Sequence, residues 1–563
     1  MIQISATIKS HCIVVLSFLL LVNCTEKVEK RDKRTIFRFN VDQGITSLDP
    51  AFSRNQANIW ATNQLFNGLT QLGDSLQILP SIAKNWIVSN DGLEYTFTIR
   101  NDVYFHDHSL FKNGKGRKVL ASDFVFSFNR IIDPKTASSG AWIFNDKVNP
   151  KTAFSATNDT TFLIRLVKPF PPLTGLLTAQ YASVVPFEVV NYYGKDFRNN
   201  PVGTGPFFFK YWKEGETMVF LKNQNYFEQV DGIKLPFLDA VQISFISDKQ
   251  TAFLQFLKKE IDFFSGIDGS YRNDILTKTG KLQEKYKGHF KLETGPYLNT
   301  EYLGILVDSN LAIVKNSPLK MKKVRQAINY AIDRKKMIKY LQNNIGTVGN
   351  AGFIPLGMPG FDSTKTKGYT YNQEKAKQLL AEAGFPNGKG MPTITLNTTT
   401  TYRDLIEFVQ SELVAIGIPT KVELNQGSSL RELIAKNNVN FFRGSWIADF
   451  PDAENYLSVF YTKNFVPAGP NYTHFSNQEF DKMFEKTYFE ANDSARFSLY
   501  QKMDQLVMDE APVVILYYDK SVKLYQNTIS GLGNNPLNLL NLKKVRKSLN
   551  HKDSKYTKFH KEK

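Results

Sequence analysis

Cysteine is nearly absent. Among 563 residues only Cys12 and Cys24 carry a thiol, and both lie at the N-terminus. The body that follows therefore has no disulfide framework, no thiol nucleophile and no cysteine metal site. Long apolar runs are also missing beyond the first two dozen residues, so nothing in the body reads as a helix long enough to cross a bilayer. There is no His-Glu-x-x-His, no Gly-x-Ser-x-Gly and no phosphate loop, hence no activated nucleophile and no acid–base pair of a familiar kind. The chain reads as a non-enzyme with no catalytic residue, no cofactor and no metal. His106 and His108 flank Asp107, and strand alternation would point both rings one way, but two ligands are too few for a tight site. They read as a solvated strand edge.

What is present begins with charge. The formal net charge is +17, yet it is unevenly placed. Residues 543–563 hold nine Lys or Arg against Asp553 and Glu562 and read as a disordered basic tail. The remaining positive charge is spread thinly with no basic stripe, so nucleic acid is not an expected partner. At the other end, Lys9 precedes an apolar run from Cys12 to Val22, the length of a signal-peptide core. It closes on Leu21-Val22-Asn23-Cys24, which resembles a bacterial lipobox with Asn23 where Gly, Ala or Ser is usual. The expectation is a signal peptide over 1–23, lipid on Cys24 and a charged tether over 24–35. The mature protein would then sit outside the cytoplasm, anchored to a membrane.

The texture along the chain is α/β. Thr35–Asn40 reads as a strand, followed by an Asp49-Pro50 turn. A helix end over 63–69 is stopped by Gly68. Two β-rich runs flank Asn90-Asp91-Gly92, a hairpin signal. Residues 121–131 read as a helix with Ser122 as a plausible cap and Phe124, Phe128 and Ile131 on one face. Gly203-Thr204-Gly205-Pro206 reads as a structural turn, because Pro206 lacks the N–H that a phosphate would need. After residue 300, Val324, Ala327, Ile328, Ala331 and Ile332 mark a buried helix face, and Asn372 caps another helix. Strands at 393–397 and 420–424 around a helix at 403–416 make a βαβ unit, which favours a parallel pair. A last helix precedes an apolar strand at 513–517.

One stretch stands out. Phe441-Phe442-Arg443-Gly444-Ser445-Trp446-Ile447-Ala448-Asp449-Phe450-Pro451-Asp452 starts as a strand and delivers a cation, an aromatic and a carboxylate at three-residue intervals. Pro451 ends regular pairing. Such a cluster suits a ligand with two charged ends; an Arg443–Asp449 pair bracing a loop explains the spacing equally well.

Seven segments in order resemble one family. They are Ser47-Leu48-Asp49-Pro50-Ala51, Leu65-Phe66-Asn67-Gly68-Leu69, Asp91-Gly92-Leu93-Glu94-Tyr95-Thr96-Phe97, Ala121-Ser122-Asp123-Phe124-Val125-Phe126-Ser127, Asn200-Pro201-Val202-Gly203-Thr204-Gly205-Pro206-Phe207, Val324-Arg325-Gln326-Ala327-Ile328 and Trp446-Ile447-Ala448-Asp449-Phe450-Pro451-Asp452. They are similar to segments of the extracytoplasmic peptide-binding lipoproteins of ABC importers (family 5), over about residues 37–530. The resemblance implies an α/β, periplasmic-binding-protein-like fold of the cluster C type: two lobes, an inserted third subdomain and a hinge. Lobe I would comprise 36–77, 199–300 and 512–542, the insert 78–198 and lobe II 301–511. The hinge would cross near Leu303–Val307 and Ala511–Tyr517.

It also implies a monomer that captures short peptides and delivers them to a membrane permease. Asp449 would pair with the peptide α-ammonium, and Arg443 would meet its carboxylate. Trp446 would wall the cleft, and the backbone of Gly444 and Ser445 would pair with the peptide as an added strand. The alternatives are the same fold with a nickel chelate, haem or an oligosaccharide, or an exported hydrolase or sensor domain.

Overall fold

Two long antiparallel strands, Phe290–Ile305 and Val513–Gln526, organise the molecule. The computed structural model describes residues 34–267 and 272–548. The expected signal peptide, Cys24 and residues 549–563 lie outside the described residues. Among the described residues, no helix is long and apolar enough to cross a membrane.

The two strands sit at the middle of an eleven-stranded sheet. On one side follow Phe441–Ile447, Ile394–Thr399 and Thr420–Asn425. On the other follow Phe263–Ser265, Ile36–Asn40, Ala240–Ser244, Thr217–Lys222 and Phe207–Lys213, and the eleventh strand, Thr347–Val348, pairs with Val513–Gln526 off this order. Residues 513–518 are buried throughout, as a strand covered on both faces must be. The expected βαβ unit is present: Ile394–Thr399 and Thr420–Asn425 pair in parallel, with helix Arg403–Val414 between them. Helix Lys322–Ala331 buries Val324, Ala327, Ile328 and Ala331, and the Asn372 side chain caps Gln373–Glu382 by accepting from Lys375 N at 2.9 Å. Arg325 is a brace: its guanidinium donates to the carbonyls of Leu319, Lys320, Glu510 and Ala511.

The long strands lose register between Pro296 and Thr300, opposite Tyr518–Lys520. N-terminal to that break they pair toward Phe263–Ser265, and beyond it toward Phe441–Ile447. The register break at 296–300 and 518–520 thus separates the part of the pair beside Phe263–Ser265 from the part beside Phe441–Ile447. Apolar Val513–Tyr517 marks the buried part of the strand.

Residues 78–198 build a separate four-stranded sheet, ordered Ala83–Val88, Glu94–Ile99, Thr161–Arg165, Phe154–Asn158, under helix Ala121–Ile132. Its core runs without a break into that of the N-terminal half, with Phe97, Phe124, Phe128 and Phe162 in the same cluster as Phe37, Leu48 and Val241. The helix is not capped by Ser122. Asp123 reaches back to accept from Leu120 N at 2.8 Å and is held by Arg117, because a carboxylate at the third helical position satisfies the first orphan donors. The preceding helix, Gln56–Leu65, stops before Gly68 is reached.

Two further readings are corrected. His106 is 6% exposed, not at a solvated edge. Its Nε2 lies 3.0 Å from Gly205 O and its Nδ1 accepts from Gly203 N at 3.3 Å. The turn at 201–207 is structural, and a Cβ on Gly203 would stand 2.1 Å from Leu65 O. Residues 543–548 are folded and not tail. Arg546–Lys547 pairs with Ile529–Ser530, Lys543 meets Glu228 at 2.6 Å, and Lys547 meets Asp262 at 2.8 Å. Burial of these lysines is possible because each gains a carboxylate from a distant part of the chain.

Candidate functional site

The strand Phe441–Ile447 follows from its sequence: aromatic residues lead, and alternation buries Phe441 on one face and Phe442 on the other. It pairs antiparallel with Asn299–Ile305, from Asn299↔Ile447 to Ile305↔Phe441. Leu306 N donates to Asn440 O and Ala448 N to Leu298 O, one at each end of this pairing. By alternation, Phe442, Gly444 and Trp446 turn their backbone groups toward that neighbour, and Arg443, Ser445 and Ile447 turn theirs to the opposite edge. That edge meets Ile394–Thr399 only at Asn397↔Phe442. Beyond it, Ser445 and Ile447 present N–H and C=O groups to no strand among the described residues. Gly444 packs under Tyr302, where a Cβ would lie 2.7 Å from the ring.

Just past this open edge stands Asp449. Its side chain is exposed, yet surrounding protein pushes its carboxyl above the usual carboxylate range. Both hold together where a side chain reaches solvent but has protein around most of it. Asn455 fixes the geometry. Its Nδ2 donates to Asp449 Oδ2 at 3.2 Å, and its Oδ1 accepts from Asp449 N at 3.3 Å and from Trp446 Nε1 at 3.1 Å. No ion pair reaches Asp449 among the described residues. Asp452, in the same motif, is the opposite case: it is buried, with Tyr500 OH at 2.7 Å and Arg496 Nη2 at 3.3 Å. Trp142 and Tyr181 of the 78–198 segment close over this region; Trp142 stacks on Phe450 at 6.5 Å, and Tyr181 feels the Asp449 charge.

Arg443 and Asp449 do not brace each other. Strand alternation carries Arg443 to the face away from Trp446, where Glu301 takes it in a bidentate pair, Nε–Oε2 at 2.9 Å and Nη2–Oε1 at 2.5 Å. The guanidinium also stacks on Tyr402, 3.4 Å from the ring centre. Arg443 is thus neutralised by a carboxylate that the sequence reading did not find. Glu301, Asn455, Asn299 and Asp519 were all missed. A local signal existed only for Asn455, six residues after Asp449; the others come from strands far apart in sequence. Among the described residues, no cluster of His, Cys, Asp and Glu has metal-holding geometry.

The model for bacterial extracellular solute-binding proteins, family 5 (middle region), matches residues 77–467. The chain belongs to that family. Among family 5 relatives, it is 25% identical to the dipeptide-binding protein DppE of Bacillus subtilis, over 91% of this chain and 92% of that protein. It is 28% identical to the haem-binding protein A of Haemophilus influenzae, over 80% and 81% of the two chains. Among solved structures, the periplasmic binding protein DppA of Helicobacter pylori, in complex with the peptide STSA, superposes with a TM-score of 0.73 at 24% identity, covering 92% of this chain and 99% of that one. The fold is the family 5 periplasmic-binding-protein fold, as the sequence segments implied.

Proposed function

We propose that this family 5 protein is the extracytoplasmic solute-binding component of an ABC importer and that its solute is a short peptide with a free amino terminus. One observation carries the reading: an exposed carboxylate without a cationic partner, Asp449, stands at the end of a strand whose backbone edge at Ser445 and Ile447 is open. An extended peptide satisfies both. Its backbone pairs with the edge, which reads main chain and tolerates many side chains, and its α-ammonium meets Asp449. The dipeptide-binding relative and the peptide-bound structural neighbour support the same class.

In this reading Trp446 acts through Asn455, which it helps to hold, more than as a wall. Gly444 keeps the strand close to Tyr302. Arg443 is spent on Glu301 and offers a ligand carboxylate little net charge. The 78–198 segment and the half beyond residue 300 close on the peptide by bending at 296–300 and 518–520, where strand pairing is already interrupted. Cys24 carries the lipid that holds the protein, as a monomer, near its permease. Haem or a metal chelate is the second reading, favoured by the haem-binding relative; an unpaired Asp449 gives an anionic haem propionate no partner.

Native mass spectrometry of protein lacking residues 1–24, purified gently from cells, tests this. Added masses that fragment as peptides of a few residues are the expected result. A single discrete non-peptide mass refutes it.

A further inference from the structure

A second anionic centre, Glu301 with Asp519, has one direct ion pair, from Arg443 to Glu301. Asn299 is 4% exposed, and its Nδ2 donates to Glu301 Oε1 at 3.2 Å and to Asp519 Oδ2 at 3.3 Å. Exchanging the amide N and O would set a carbonyl oxygen against two carboxylates, so the orientation is fixed by its neighbours. The remaining atom, Asn299 Oδ1, is an acceptor out of contact with solvent and without a hydrogen-bond partner among the described residues. Arg443 serves Glu301 and makes no ion pair with Asp519. Among the described residues, Asp519 accepts from its own neighbour Lys520 N at 2.8 Å and from Asn299. Arg272, the other cation that Asp519 feels, is bound to Leu341 O at 2.9 Å and Gln342 Oε1 at 2.5 Å. Tyr297, half-buried, feels the charges of both Asp519 and Glu301, and its neighbour Tyr456 also feels Asp449.

An orphaned buried acceptor beside a partly open carboxylate that makes no direct ion pair suits a donor-rich cation. We propose that Asn299, Asp519 and Glu301 form a subsite for an ammonium or guanidinium group, so that the preferred ligands are short peptides with a basic side chain as well as a free amino terminus. This rests on the peptide reading above and narrows it. A carboxylate placed here would meet two like charges, and an apolar side chain would leave Asn299 Oδ1 unsatisfied. A lysine or arginine side chain supplies donors to all three residues, with the tyrosines beside its stem.

Calorimetry on purified, peptide-stripped protein decides it. The probes are alanine tripeptides with lysine, arginine, norleucine or glutamate placed in turn at each position, in buffer containing a chelator. The expected result is that, at one position, the lysine and arginine peptides bind about ten- to a hundredfold tighter than the norleucine peptide. Asp519→Asn brings the ratio close to one. Equal affinity for lysine and norleucine peptides at every position overturns the proposal while leaving the peptide reading in place. So does a lysine preference that survives in a folded Asp519→Asn protein. If that variant unfolds, the wild-type lysine-to-norleucine ratio decides alone. Failure of every peptide to bind overturns the proposal together with the reading beneath it.

Discussion

Replacing Asp449 by Asn separates ligand binding from stability, because the two should move in opposite directions. The exposed carboxylate has no cation to lose, and the new amide oxygen still accepts from Asn455 Nδ2. What disappears is the charge that a peptide ammonium would meet. At about 4 Å and an effective dielectric near 20, the gross attraction is about 4 kcal/mol. Part of that is offset by stripping water from the ammonium, and hydrogen bonds to charged groups retain about 1.5–3 kcal/mol net. Affinity should therefore fall by about ten- to 150-fold. Stability follows the other sign. The surrounding protein raises the Asp449 pKa in the folded state, so its contribution is present below the unfolded carboxyl pKa and is lost as pH rises through the folded one. At neutral pH the neutral Asn removes that cost, so the melting temperature of the empty protein should hold or rise. The assay is calorimetry with one peptide, free or N-acetylated, on both proteins, beside thermal melts at pH 7. The acetylated peptide should bind both proteins alike. A fall in melting temperature parallel to the fall in affinity would refute the reasoning, as would equal loss for the acetylated peptide.

Three other substitutions probe the frame of the site. Glu301→Gln leaves the Arg443 guanidinium, 12% exposed, without its partner and should cost about 3–5 kcal/mol of unfolding free energy by urea titration; Glu301→Leu with Arg443→Met should recover most of it. His106 is fixed as the neutral ring that donates from Nε2 and accepts at Nδ1, and burial pushes its pKa down to about 4. Its share of stability is present above the unfolded histidine pKa and is lost as pH falls toward 4, so His106→Gln should flatten the melting temperature between about pH 6.5 and 4. Gly203→Ala drives a Cβ to 2.1 Å from the Leu65 carbonyl and should destabilise by more than about 1 kcal/mol with no direct effect on peptide contacts, read as a lowered melting temperature with near-normal affinity per folded molecule.

Local signals carried well from sequence to structure. The βαβ unit, the Asn372 cap, the hairpin around Gly92 and the buried face of Lys322–Ala331 are each set by residues within a turn or two of one another. The order of seven short segments carried the family. Pairings across the chain did not carry. Arg443 and Glu301 are 142 residues apart, and Lys547 and Asp262 are 285 apart; only the strand register brings them together. A tail rich in lysine looks solvated until the acids that receive Lys543 and Lys547 are known. One error was avoidable. Residues three apart on a strand point to opposite faces, so Arg443 and Trp446 never shared a wall once 441–447 was read as a strand.

The distribution of charge also bears on release. Aromatic and cation–π contacts join the 78–198 segment to the half beyond residue 300: Trp142 on Phe450, Phe170 beside Tyr488 at 6.2 Å, and Lys168 Nζ 4.3 Å above the same tyrosine ring. Aromatic and cation–π contacts of this kind contribute about 0.5–1.5 kcal/mol each. An empty cleft, moreover, keeps Asp449 and Asp519 without cationic partners, each raised in pKa by its surroundings. Opening would give the half-buried Asp519 more water, whereas Asp449 is already exposed. A bound cation relieves the same cost from inside, so it favours the closed form by its differential affinity for the two states. A binding protein must close on its solute and open when the solute is withdrawn. Leaving the anions unpaired in the protein, and supplying their partners only through the ligand, ties closure to occupancy by electrostatics alone.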